Sequence, residues 1–130
     1  MRMSVEMSKK FKGRDFLSLK DYTPEEINYL LAVAEDLKYK QKNAIPHKYL
    51  EGKTLGMIFQ KNSTRTRVSF EVGMYPLGGT ALFLSANDLQ LGRGETIKDT
   101  ALTLSRYLDG NMIRTYSHDE VLELAEADYR

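Results

Sequence analysis

Apolar residues in this chain recur at two alternating periods. Between residues 24 and 42, Ile27, Leu30, Leu31, Ala34 and Leu37 return at spacings of three and four, the period of a helix packed along one stripe. Its start is marked. Thr23 is placed to cap it, Pro24 occupies the first helical position, where an N–H would lack a partner anyway, and Glu26 stands where its carboxylate can return a bond to the cap. "KTLGMIFQ", residues 53–60, is instead a short unbroken apolar run of buried-strand length, following Gly52. The stretch that follows, "RVSFEVGMYPLGG" from Arg67, reads as a helix that stops near Pro76 or Gly78. "TALFLS" at 80–85 then reads as a second strand, and residues 86–95 as a loop. "TIKDTALTLSRYLDG" predicts a helix that Thr96 caps and Gly110 ends, and "NMIRTY" at 111–116 a third strand. Ser117 and Glu120 form a second capping-box pair, opening a last helix in which Val121, Leu122, Leu124 and Ala125 are available to pack.

The order is one helix, then strand and helix three times. Alternation of this kind implies an α/β domain in three layers, a parallel sheet flanked by helices. Sheets of this class take ligands beyond the carboxyl ends of their strands. The three ends, leading into Ser63, into residues 85–94 and to Arg114, are expected on one edge. The chain is 130 residues long, enough for one ordinary domain, which is expected to run from Phe16 to the last residue behind a flexible arm over residues 1–15.

Charge narrows the function. Nineteen Lys and Arg against eighteen Asp and Glu leave a formal charge of +1, so no global field draws the chain to nucleic acid or to an anionic membrane. An anion site must be local. The absence of cysteine removes disulfides and thiolate metal sites and fits a reducing compartment, so a cytoplasmic location is expected. No apolar stretch approaches the roughly 20 residues that span a bilayer, and the basic N-terminus lacks a signal peptide's apolar core.

The densest chemistry lies in "FQKNSTRTRVSFE", residues 59–71, at the junction of the first strand and its helix. A helix N-terminus exposes unpaired N–H groups and a partial positive charge. Ser63, Thr64 and Thr66 add hydroxyls there, and Arg65 adds a planar fork matched to two phosphate oxygens. The stretch suits a phosphate group. The plainer alternative is that Ser63 or Thr64 only caps the helix while the arginines are solvated or pair with Glu71 and Asp99. No Gly-Lys-Ser/Thr element is present, which argues against a Walker-type nucleotide site. A nucleic-acid surface would need stacking aromatics, whereas Phe70 and Tyr75 fall where the helix is expected to face its own sheet.

"STRTRVSFE" at 63–71, "DLQLGRGETIKDTALTLSRYLDG" at 88–110 and "MIRTYSH" at 112–118 together resemble the carbamoyl phosphate-binding half of the carbamoyltransferases, most closely the ornithine carbamoyltransferases. The Ser-Thr-Arg-Thr-Arg string is shared with the aspartate enzymes; the other two segments favour ornithine, with aspartate and other amine acceptors as the alternatives. The resemblance implies a transferase of arginine metabolism that passes a carbamoyl group from carbamoyl phosphate to ornithine without a cofactor. By it, Ser63, Thr64, Arg65 and Thr66 bind phosphate, Arg114 reaches phosphate and carbamoyl oxygen, and Gln90 reaches the neighbouring subunit's site in a trimer. Arg67 is expected to tie its helix to surrounding backbone. The family's pattern also implies that a last strand of this domain and an ornithine-binding domain lie outside these 130 residues. The chain by itself is therefore expected to bind carbamoyl phosphate or phosphate without turnover. A different class of reading is a folded assembly module with no ligand chemistry. His47, beside Pro46, and His118, at a helix start, have no ligand-spaced partners, so no metal is assigned. Met57, Met74 and Met112 are read as core filling.

Overall fold

The computed structural model describes residues 5–85 and 97–127. The chain divides into two compact units, residues 1–47 and 48–130, where the sequence suggested one continuous domain from Phe16.

The first unit carries α1 (Val5–Lys9) and α2 (Pro24–Lys42). Part of the expected arm is helical, and the segment behind it is tied down. The Arg14 guanidinium lies 4.2 Å from the centre of the Tyr22 ring and donates to Glu26 Oε2 at 2.6 Å. The capping box at the start of α2 is complete: Glu26 N–H donates to Thr23 Oγ1 and Thr23 N–H to Glu26 Oε1, at 3.1 and 2.9 Å. The expected apolar stripe is only partly inward. Ile27, Leu30 and Leu37 are half-buried, while Leu31 and Ala34 face outward.

The second unit contains β1 (Thr54–Phe59), α3 (Thr64–Met74), β2 (Thr80–Ser85), α4 (Ile97–Leu104), β3 (Gly110–Arg114) and α5 (His118–Ala127). Its three strands are parallel in the order β2-β1-β3, with the helices as crossovers. Ile58, Leu84 and Ile113 stand in register on one face, where they pack with Ala101 and Leu104 of α4 and Leu124 of α5. Phe83, one residue before Leu84, points to the opposite face and meets α3, whose Arg67 lies over its ring. Helices therefore cover both faces of the sheet, as the alternation requires. Met57 and Met74 are buried and Met112 half-buried.

Four expectations need correction. Phe70 and Tyr75 are not packed away against the sheet: they are 39% and 83% exposed, and the buried residue of α3 is Met74, while Arg67 reaches from its exposed position over the Phe83 ring. Leu122 of α5 is also largely exposed, leaving Leu124 as the anchor. The helix after residue 96 ends at Leu104, not at Gly110, which instead opens β3. Between them Asp109 donates its N–H to the Thr54 carbonyl and accepts the Thr54 N–H on its carboxylate, both at 2.9 Å, drawing the chain into the sheet early. Finally, Glu120 takes its hydrogen bond from Thr115 and not from the backbone of Ser117.

Candidate functional site

The register sets the geometry. Phe59, the last residue of β1, is paired with both Ser85 and Arg114, the last residues of β2 and β3, so all three strands finish flush on one edge. Gln60 continues the ladder one step further, its N–H donating to the Arg114 carbonyl at 2.9 Å. Three residues on, Ser63 has an extended backbone and caps α3. The first turn of α3 and the end of β3 thus share an edge because β1 lies between β2 and β3 in a parallel sheet.

Within that first turn, Ser63 Oγ donates to Thr66 Oγ1 at 2.9 Å and accepts the longer bond from Thr66 N–H at 3.4 Å. Thr64 and Arg65 are exposed, and Arg65 makes no hydrogen bond or ion pair with another described residue. Arg67 is engaged elsewhere: its Nε donates to Glu71 Oε1 at 3.0 Å and its guanidinium carbon lies 3.7 Å from the centre of the Phe83 ring. Its partners are side chains and not the backbone expected of it. Arg114 is half-buried, and its Nε is buried with no partner among the described residues. An unpaired guanidinium N–H out of water is costly unless an acceptor arrives, which is what an anion at this edge would supply. Gln90 and Thr96 lie outside the described residues.

Sequence reasoning passed over a cluster at the same edge. Thr115, the residue after β3, has its hydroxyl 2.5 Å from Gln60 Oε1 and 2.7 Å from Glu120 Oε2. Lys61 Nζ lies 5.1 Å from the centre of the Tyr116 ring. The available signal was positional: Gln60 and Thr115 each directly follow a strand whose end carries a candidate residue. His118 is exposed, whereas His47 is buried with Nδ1 2.7 Å from the Ile45 carbonyl oxygen. No group of three metal-ligating side chains occurs among the described residues. A concavity of about 500 Å³ on α2, lined by Asn28, Leu31, Ala34 and Lys38 among others, belongs to the first unit and contains none of the candidate residues.

Residues 14–129 match the family described as aspartate/ornithine carbamoyltransferase, carbamoyl-P binding domain. The chain belongs to this family. Among curated carbamoyltransferases, the ornithine carbamoyltransferase of Halalkalibacterium halodurans is 68% identical over 114 residues, covering 88% of this chain and 36% of that protein. That of Anoxybacillus flavithermus is 60% identical over 123 residues, covering 95% and 39%. The solved ornithine carbamoyltransferase of Pyrococcus furiosus superposes with a TM-score of 0.87 at 60% identity, covering 91% of this chain and 38% of that one. A solved aspartate transcarbamoylase from Trypanosoma cruzi, in complex with carbamoyl aspartate and phosphate, reaches 0.84 at 26% identity, over 93% and 38%. The carbamoyltransferase domain described here thus spans a little over a third of the length of these relatives, and its backbone is common to both acceptor classes. No described helix is long and apolar enough to cross a membrane.

Proposed function

We propose that the strand-end edge of this domain is the carbamoyl phosphate site of an ornithine carbamoyltransferase. The observation that carries the reading is the flush register of Phe59, Ser85 and Arg114, which brings Arg114 to the edge where Ser63 starts α3. The N–H groups of the first turn, the hydroxyls of Ser63, Thr64 and Thr66, and the Arg65 guanidinium hold the phosphate. Arg114 spans phosphate and carbamoyl oxygen, and Thr66 helps polarise the carbonyl. Ornithine's neutral side-chain amine attacks that carbonyl, the C–O bond to phosphate breaks, and citrulline and phosphate result. Charge grows on the leaving phosphate and the carbonyl oxygen, and the fixed donors stabilise it without reorganising.

Ornithine is favoured over aspartate as acceptor by identity, 60–68% for the ornithine relatives above against 26% for the aspartate structure, since the fold itself matches both. The same reading places the protein in arginine metabolism, in the cytoplasm, as a trimer in which Gln90 completes a neighbour's site. Calorimetric titration with carbamoyl phosphate tests it. Binding is expected to be detectable with the chain and to weaken on Arg65→Ala by about tenfold or more, as for the loss of a hydrogen-bonding charged partner. Equal binding by the variant rejects the site.

A further inference from the structure

The strongest unexplained feature is the cluster of Gln60, Thr115 and Glu120. Gln60 holds two successive residues: its backbone N–H holds the Arg114 carbonyl at 2.9 Å, and its side chain meets the Thr115 hydroxyl. Glu120, in the first turn of α5, takes the other side of that hydroxyl at 2.7 Å. A hydroxyl carries one proton and cannot donate to two oxygens. The carboxylate is the stronger acceptor, so the proton goes to Glu120. The contact with Gln60 is then made by the NH₂ end of its amide, whose two ends have the same outline. The result is a directed chain from the Gln60 amide through the Thr115 hydroxyl to the Glu120 carboxylate. It joins the end of β1, the end of β3 and the start of α5.

Arg114 sits immediately beside this chain. Its Nε is buried without a partner among the described residues, so no described group holds that N–H directly. What fixes the start of its side chain is the backbone, pinned at the Arg114 carbonyl and at the next residue's hydroxyl. We propose that Thr115, held between Gln60 and Glu120, is the positioning residue that aims Arg114 at the ligand. The inference rests on the reading of this edge as a carbamoyl phosphate site. Thr115 acts through Arg114 and touches no reacting atom.

The test uses ¹⁵N-labelled chain, in which the Arg114 Nε–H resonance is identified by its loss in Arg114→Lys. Thr115→Val keeps the shape of the side chain and removes the hydroxyl. It is expected to shift and broaden that resonance before any ligand is added, and to raise the Kd for carbamoyl phosphate about tenfold. Thr115→Ser restores both, and Glu120→Gln, which keeps an acceptor but not the charge, falls between. In an Arg114→Ala background Thr115→Val is expected to add nothing to the Kd, since the two act as one unit. An unchanged Arg114 resonance in Thr115→Val overturns the proposal. So does an equal loss of affinity with and without Arg114, which is the signature of a general packing defect. Failure of the unmodified chain to bind carbamoyl phosphate or inorganic phosphate rejects the site reading alone, because the resonance is read without ligand.

Discussion

Glu26 shows how one side chain serves two neighbours. It accepts the Thr23 N–H and then the Arg14 guanidinium, and both favour its charged form, so its pKa lies below the ordinary carboxylate range; the same pairing holds Arg14 above its usual value. The stabilisation is complete above the unfolded-state pKa of about 4.3 and is lost as pH falls through the lower folded-state value. Acid titration of helical circular dichroism is therefore expected to show a loss on that side that Glu26→Gln abolishes. Arg67 allows a second test. Its bond to Glu71 and its place over Phe83 are both partly solvated, so Arg67→Ala is expected to cost about 1 kcal/mol in denaturant unfolding, with little change in phosphate affinity. At this scale the sequence was partly legible. The cap at Thr23 could be read because it depends on residues three apart in the chain. The pairing of Arg67 with Glu71, four residues on, could be read as an alternative for the same reason; its place over Phe83 and the contact of Thr115 with Gln60 could not, since those partners come together only through the sheet.

Among the elements, β2 has the bounds of the apolar run that foretold it, Thr80–Ser85, although it is an edge strand whose Thr80 and Leu82 are exposed. The end of α4 was misread since Gly110 looks like a helix terminator. Which signal wins is decided by Asp109, whose two bonds to Thr54 are invisible without the fold. The inward stripe of α3 was misassigned for a related reason. Phe70 and Tyr75 are the more apolar choices, yet both are exposed, while Met74 is buried and Arg67 reaches over Phe83. Gly56 lies in the central strand, where an added Cβ would come 2.4 Å from Leu108 Cδ1 and 2.9 Å from Asn111 Oδ1. Gly56→Ala is expected to destabilise the second unit by about 1–3 kcal/mol, measured by chemical unfolding with phenylalanine and tyrosine fluorescence. Thr23→Ala is expected to cost about 1 kcal/mol through the lost cap, seen as a lower α2 melting temperature.

At the scale of the whole chain, the parallel sheet of the second unit, with helices on both faces and its strand ends on one edge, was legible because strands alternating with helices imply parallel pairing through crossovers; the strand order β2-β1-β3 was not. The division at residue 47 was not, since no Pro- or Gly-rich linker marks it and the boundary depends on which contacts form. A ligand that binds only the folded state stabilises it by an amount that grows with the logarithm of its concentration over Kd. At phosphate one hundred times its Kd, the gain is expected to be about 2.7 kcal/mol, read as a higher unfolding temperature that Arg65→Ala removes. The ladder step from Gln60 to Arg114 carries a further consequence. The loop entering α3 and the tip of β3 are buttoned together beyond the regular sheet, so they must breathe as one piece. In deuterium exchange, the Gln60 amide should therefore be as slow as the middle of β1, with the same slow exchange whether or not phosphate is added.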